Sequence, residues 1–344
     1  MEIKEILKKL VSFNTIKDKD NKELMDFIEE YLKKYKFKIE RIEKCLVASN
    51  GDNPNIAFIG HTDTVDYESW DGDPFTVREE ENKLIGLGTC DMKGGIAAIL
   101  SAISTMNLEK QRIALYFTND EETSFAGIKK ICELIKEPNI LIGEPTDNIP
   151  VYGTKGLLGL NINFYGKKVH SSIPEKGVNA IYECMDFIDK LRLFYKEDLM
   201  KDVDNDFKVP YTSMNIGMIT GGETENSVPG KCSITVDFRI NKDSDIDKII
   251  VFVKELLKNY KAELIIKNKV RPKLNNSDIS FIENLSTTKE TANYFTEASF
   301  IESSNIIILG PGPVTAHEKN EYITFESLME CENLYTNIIN YYNE

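Results

Sequence analysis

Several residues able to bind metal or move a proton stand directly after apolar runs in this chain. His61 follows the run 55–60 and lies two residues before Asp63. In extended chain such a pair shares one face, as in a ligand histidine whose second nitrogen is oriented by a carboxylate. A plain surface His-Asp pair is the structural alternative. Asp91 follows the spaced glycines of LIGLGTCDMKGG at 84–95, Glu121 and Glu122 follow the run 112–118, and Glu144 follows 139–142 between Gly143 and Pro145. His317 lies in the glycine- and proline-rich stretch 310–320, in a chain with only three histidines. Acidic neighbours alone mean little where 56 of 344 residues are acidic; Glu79-Glu80-Glu81 reads as a solvated triplet. Position separates Glu121, Glu122 and Glu144 from it, because a carboxylate at the end of a buried strand is costly unless paired or metal-bound.

His61, Asp91, Glu122, Glu144 and His317 supply two imidazoles and three carboxylates. That set suits two borderline divalent ions, zinc first, with cobalt or manganese as alternatives. Each ion takes one histidine and one glutamate, and the two share Asp91. Such a pair lowers the pKa of a shared water and clamps a developing oxyanion. Glu121 then removes the water's proton and passes it to a leaving amine. The chemistry is amide hydrolysis without a covalent intermediate. Gly86-Leu87-Gly88-Thr89-Cys90-Asp91 also echoes a GxGxxG dinucleotide loop, but its sixth position is an acid that repels a pyrophosphate, and no GKS or GKT follows.

The elements that position these residues repeat as strand, polar tip, helix. Strands are expected at 55–60, 112–118 and 139–142, with helices at 92–106 and 124–136. The expected fold class is therefore α/β, a mostly parallel sheet flanked by helices with ligands at the carboxyl ends of its strands. Two amphipathic helices precede it, near the N-terminus and at 23–34, followed by a half-buried strand at 37–47. From about residue 151 the texture changes. Alternating strands at 159–165, 213–219, 233–240 and 262–266, with helices at 179–193 and 246–259, give the order β-α-β-β-α-β of a small open-faced α+β module. The α/β texture resumes with a helix at 278–287, a strand at 305–309 and a closing helix at 326–341. The expected division is a catalytic domain of 1–150 and 268–344, interrupted by an inserted domain of 151–267.

The formal net charge of −14 argues against nucleic acid or an anionic membrane surface as partner. No run approaches the length of a membrane span. Six scattered cysteines without CxxC pairs, behind an N-terminal stretch unlike a signal peptide, point to reduced thiols in the cytoplasm.

The motifs GHTDTVD, GLGTCDMKGG, NDEETSFAG, LIGEPTD, VHSSIPEKGVNAI and LGPGPVTAHEKNEYI, in this order over about residues 55 to 325, resemble the M20 family of metallopeptidases and deacylases. The resemblance implies the zinc-peptidase-like catalytic fold with an inserted ferredoxin-like lid that forms a homodimer, and the same ligand set, with Glu121 as base and Asp63 behind His61. It implies that His170 and Asn226 bind the oxyanion, in their own or the partner subunit, and that Arg239 holds the substrate's α-carboxylate through bidentate contacts. A strand salt bridge with Asp237 is the alternative for Arg239. It also implies a cis-like peptide after Asp91. GTCDMKG, DEETSFAG, HSSIPEKGVNAI and TEASF (296–300) resemble the branch that hydrolyses N-acetylornithine to ornithine and acetate in arginine biosynthesis, with a succinyl-diaminopimelate desuccinylase or a dipeptidase as competing activities. Glu297 is our candidate for the ornithine ammonium, with a helix-terminus carboxylate as its alternative. Cys90 has no assigned role beyond a small buried thiol.

Overall fold

The computed structural model describes residues 1–17, 19–275, 290–303 and 305–343. The chain divides into two compact units, one of Met1–Gly153, Leu274–Glu290 and Phe300–Glu344, the other of Thr154–Lys273 and Thr291–Ser299. Residues 291–299, expected in the catalytic domain, cluster with the second unit. The helix expected at 278–287 lies outside the described residues.

In the first unit α1 (Ile3–Val11) and α2 (Lys22–Lys33) bury the apolar stripes that their periodicity predicts, through Ile3, Ile6, Leu7, Leu10 and Val11 and through Leu24, Ile28, Tyr31 and Leu32. The strand expected at 37–47 is a hairpin, β1 (Lys38–Ile42) and β2 (Cys45–Ser49), with Ile42 opposite Cys45. Its turn places Glu43 at φ 55°. No Asn-Gly or Asp-Gly marks that turn, so the alternation runs through it unbroken. Next come β3 (Ile56–His61), β4 (Arg78–Glu80), β5 (Lys83–Ile85), α3 (Lys93–Thr105), β6 (Ile113–Thr118), α4 (Ala126–Ile131) and β7 (Asn139–Ile142). Helix α4 is shorter than expected. The Asp120 carbonyl accepts the Thr123, Ser124 and Phe125 N–H groups, and Phe125 sits at φ 57°, so a tight turn consumes what reads as the first helical turn. The unit closes with β15 (Asn305–Ile308), β16 (Tyr322–Thr324) and α7 (Phe325–Asn343).

The large sheet runs β1-β2-β6-β3-β7-β15 and on to β8 (Val151–Thr154) and β13 (Lys273–Leu274), with β14 (Glu290–Ala292) paired to β8. Its centre, β6-β3-β7-β15, is parallel. Pairing is antiparallel on both sides of that centre, at β1-β2-β6 and at β15-β8. Every residue of β3 and β6 is buried, the signature of strands covered on both faces. Helix α3 is buried from Lys93 to Ile103 and lies very close to the sheet: a Cβ on Gly95 would stand 2.2 Å from the Gly143 carbonyl oxygen. A small antiparallel sheet, β16-β5-β4, lies apart from the large one.

The second unit is built from β9 (Gly156–Tyr165), α5 (Ala180–Phe194), β10 (Ser213–Gly221), β11 (Lys231–Ile240), α6 (Asp243–Leu257) and β12 (Ala262–Val270). Its sheet is antiparallel in the order β10-β11-β9-β12. Burial alternates along β9 and β11, and the inward residues Leu158, Leu160, Ile162, Ile234, Val236 and Phe238 form one core with α5 and α6. Asn179 caps α5 by accepting the Ile181 and Tyr182 N–H groups.

Candidate metal centre and active site

Three neighbouring parallel strands end together. In the order β6-β3-β7, His61 closes the middle strand opposite Thr118, Glu121 and Glu122 follow the strand on one side, and Glu144 follows the strand on the other. Asp91 arrives from the turn between β5 and α3, and His317 from the loop between β15 and β16. His61 Nε2 lies 3.0 Å from Asp91 Oδ1 and 3.7 Å from Glu144 Oε1. His317 Nε2 lies 3.1 Å from Glu122 Oε1 and 3.6 Å from Asp91 Oδ2. The two oxygens of Asp91 thus face two histidines, one in each direction. Among the described residues, His61–Asp91–Glu144 and Asp91–Glu122–His317 each bring one ligand atom per residue within 4.8 Å of one another, as does His61–Glu121–Glu122. This donor set fits borderline divalent metals: imidazole and carboxylate groups converge, largely out of water, where so many like charges need a cation.

The supporting contacts are less predictable. His61 Nδ1 is 3.0 Å from the Asp63 backbone carbonyl oxygen and 3.6 Å from its carboxylate. The carboxylate accepts the Glu121 and Glu122 N–H groups at 3.2 and 3.1 Å. Asp63 therefore reaches the histidine chiefly through its backbone, while its side chain fixes the strand tip that carries both glutamates. The i, i+2 spacing identifies Asp63 but not that second task, which depends on β3 and β6 being neighbours. Gly88 adopts φ +80° in the turn before Asp91, and the Asp91-Met92 peptide is cis. Glu321, absent from the sequence reading, is buried and accepts the N–H groups of Gly88, Cys90 and Asp91 at 3.0, 2.7 and 2.8 Å. Its only sequence signal is an acid directly before a short strand. Cys90 Sγ accepts the Thr315 N–H at 3.4 Å and donates to the Pro313 carbonyl oxygen at 3.5 Å.

His170, Asn226, Arg239 and Glu297 lie in the second unit. His170 Nδ1 is 2.7 Å from the Ser172 hydroxyl, and the Asn226 carbonyl oxygen accepts the Ser171 N–H at 3.0 Å, so the first two share one loop pair. Arg239 Nε donates to Asp237 at 2.9 Å, and its guanidinium lies 5.9 Å from the Phe295 ring centre. The salt bridge named as the structural alternative is thus present. Glu297 is fully buried in a short turn, Glu297–Phe300.

Residues 152–264 match the M20 peptidase dimerisation domain. Acetylornithine deacetylase of Buchnera aphidicola (strain Tuc7) is 30% identical, with 98% of this chain and 97% of the relative covered. The chain belongs to the M20 peptidase family. Among solved structures it is similar to a tripeptidase from Staphylococcus aureus, with a TM-score of 0.83, 19% identity, and 99% of this chain and 98% of that chain covered. It is similar also to a dinuclear metal binding peptidase of the M20 family from Bacillus subtilis, with a TM-score of 0.71, 14% identity, and 98% of each chain covered.

The M20 site carries strong electrostatic interactions. Burial works against a charged His61, but the carboxylates of Glu144, Asp63 and Asp91 outweigh it and raise its pKa well above the ordinary value. Burial raises the Glu121 pKa well above the carboxylate range; Glu144, Glu122 and Asp91 add to the rise, and His61 opposes it. His317 is lifted to about 9, first by its contact with Glu122. Burial pushes Glu321 up to about 7, against the three N–H groups that favour its charge.

Proposed function

We propose that this M20 hydrolase removes the acyl group from an N-acylated amino acid, with N-acetylornithine as substrate and ornithine and acetate as products. The observation that carries the reading is the division of Asp91 between two histidines, with Glu121 next to that division. His61 and Glu144 would hold one divalent ion and Glu122 and His317 a second, with Asp91 shared; zinc is the first choice and cobalt the alternative. Such ions supply Lewis-acid activation of a water and of the amide carbonyl.

The chain's own residues do the rest. Glu121 is buried beside His61 and Glu122, next to the proposed ion positions. That suits a base that accepts the water's proton and delivers it to the leaving amine nitrogen. Asp63 holds the Glu121 and Glu122 backbone, so the base and a ligand keep a fixed separation. The recognition roles belong to the same proposal: His170 and Asn226 for the oxyanion, Arg239 for the α-carboxylate, Glu297 for the ornithine ammonium. The names of the curated relatives support the substrate, and the dimerisation-domain match supports a homodimer. No helix among the described residues is long and apolar enough to cross a membrane, and we place the enzyme in the cytoplasm, within arginine biosynthesis.

The test is a substrate panel of acetylornithine, succinyl-diaminopimelate, neutral acetyl-amino acids and dipeptides, each with and without chelator. Acetylornithine should be turned over with the highest kcat/KM, and chelation should abolish that turnover. Activity that survives complete metal removal sinks the mechanism. A preference for dipeptides or the succinyl substrate sinks the substrate assignment. Glu297→Ala should erode the preference for a basic over a neutral acyl amino acid, and an unchanged preference removes Glu297 from the proposal.

A further inference from the structure

We propose that Glu321 is a positioning residue for the metal centre, fixing the backbone of Asp91 against the loop that carries His317; the inference rests on the dinuclear reading above. Glu321 is 2% exposed. Its Oε1 accepts the Cys90 and Asp91 N–H groups and its Oε2 accepts the Gly88 N–H. Three backbone donors on one carboxylate are charge-assisted bonds, and a buried carboxylate is tolerated when it is bonded in this way. The Glu321 carbonyl oxygen adds to the junction, accepting the Gly86 N–H at 3.1 Å. Turn 86–91 is therefore bound to one residue of the loop that carries His317, through both side chain and backbone.

That loop is closed on itself. Thr315 donates its hydroxyl to the Tyr322 carbonyl oxygen at 2.7 Å and accepts the Tyr322 N–H at 2.9 Å. The Thr315 N–H in turn reaches Cys90 Sγ. Between these anchors stands His317, four residues before Glu321. One clamp thus joins the turn bearing Asp91 to the loop bearing His317, and it sets the 3.6 Å separation of His317 Nε2 from Asp91 Oδ2. Direct ligation by Glu321 is not required for this. Its carboxylate is occupied by backbone donors, and its effect on the metals runs through Asp91. Cys90 acquires a role here as the second contact of the clamp.

A purely structural role predicts lost stability and nothing else, so the decisive readout is metal affinity. Zn2+ and Co2+ titrations of the metal-stripped full chain, by calorimetry and by Co2+ visible absorption, should be run on wild type, Glu321→Gln and Glu321→Asp, beside melting of the metal-free proteins. Glu321→Gln replaces an acceptor oxygen by an amide that repels the N–H groups, and Glu321→Asp keeps the charge but withdraws the oxygens. Loss of an outer partner of a metal ligand costs roughly 10–100-fold in affinity. We expect a loss of that size for the weaker of the two metal equivalents, an altered Co2+ spectrum, and a smaller loss for Asp than for Gln. The kcat should fall with occupancy and recover partly in excess metal, with KM little changed. Should Glu321→Gln not fold, Glu321→Asp carries the comparison alone. A folded variant that binds both equivalents with wild-type affinity and spectrum overturns the proposal. These titrations need no substrate, so a wild type that binds two ions yet hydrolyses no acyl amino acid refutes only the substrate assignment. A wild type that binds fewer than two ions refutes the dinuclear reading and this inference with it.

Discussion

The two sheets of this chain solve burial differently. Strands β3 and β6 are buried at every position; apart from the Tyr116 hydroxyl, which donates to Glu137, their polar side chains stand at their ends. That is where His61, Glu121 and Glu122 stand, converging because parallel neighbours end on the same side. Strands β9 and β11 are buried at alternate positions. Each carries polar residues along its length, such as Asn161, Asn163, Thr235, Asp237 and Arg239, spread over one face. A two-sided sheet concentrates its chemistry at a strand terminus, whereas a one-sided sheet distributes polar groups over a surface suited to recognition or pairing.

The largest expected effect follows from that concentration. Glu121→Gln removes the proposed base without changing its size, and general acid–base catalysis is worth roughly 10²–10⁴-fold. The kcat should fall by about that factor while the melting temperature and metal content hold. An activity within about tenfold of wild type would take Glu121 out of the mechanism. No single polar residue on the exposed face of β11 should produce a comparable fall with Arg239 left intact.

The next effect tests burial directly, using adjacent pairs. Phe58 and Ile59 are neighbours on β3, and both are fully buried. Phe58 packs against Phe117 and Tyr335, with ring centres 6.1 and 5.7 Å away. Phe58→Ala should cost about 3–5 kcal/mol and Ile59→Ala about 2–5 kcal/mol. On β11, Ile234→Ala should also cost about 2–5 kcal/mol. Its neighbour Thr235 is partly exposed, and Thr235→Ala should stay within about 0.5 kcal/mol. Chemical denaturation of the four variants reads the contrast: two large losses in β3, one large and one small in β11. Equal losses for both β11 variants would mean that its outer face is covered in solution.

The same contrast governs what the sequence reveals. The proposed ligands His61, Glu122 and Glu144, with the proposed base Glu121, are legible because a continuous apolar run that leads into a histidine or carboxylate states both the strand and its exit. The second unit is legible because alternation is a strong signal over nine or ten residues. Missed features depend on pairings between distant segments or on unmarked turns. Asp63's contact with the Glu121 and Glu122 backbone needs β3 beside β6, and Glu321's grip on turn 86–91 joins segments more than 200 residues apart. Local periodicity contains neither. The β1–β2 hairpin and the shortened α4 were hidden by turns at Glu43 and Phe125, non-glycine residues that carry no left-handed signature in their type.

A buried charge supplies the smallest test. Lys155 is 1% exposed in the second unit, donates to the Tyr211 carbonyl oxygen at 3.0 Å, and lies 5.9 Å from the Phe207 ring centre. Burial lowers its pKa from 10.5 to about 8. The folded chain therefore gives up this proton at lower pH than the unfolded chain does. Below about pH 8 both states carry the proton and the full cost of the buried charge is present. Between about 8 and 10.5 the unfolded state binds more protons than the folded state, so stability rises with pH across that window. Lys155→Met has no proton to lose there. The melting temperature of wild type should gain on that of Lys155→Met as pH rises from about 8 to 10. Parallel curves would show that the Lys155 ammonium is solvated, and that water reaches the segment between β8 and β9 despite its burial.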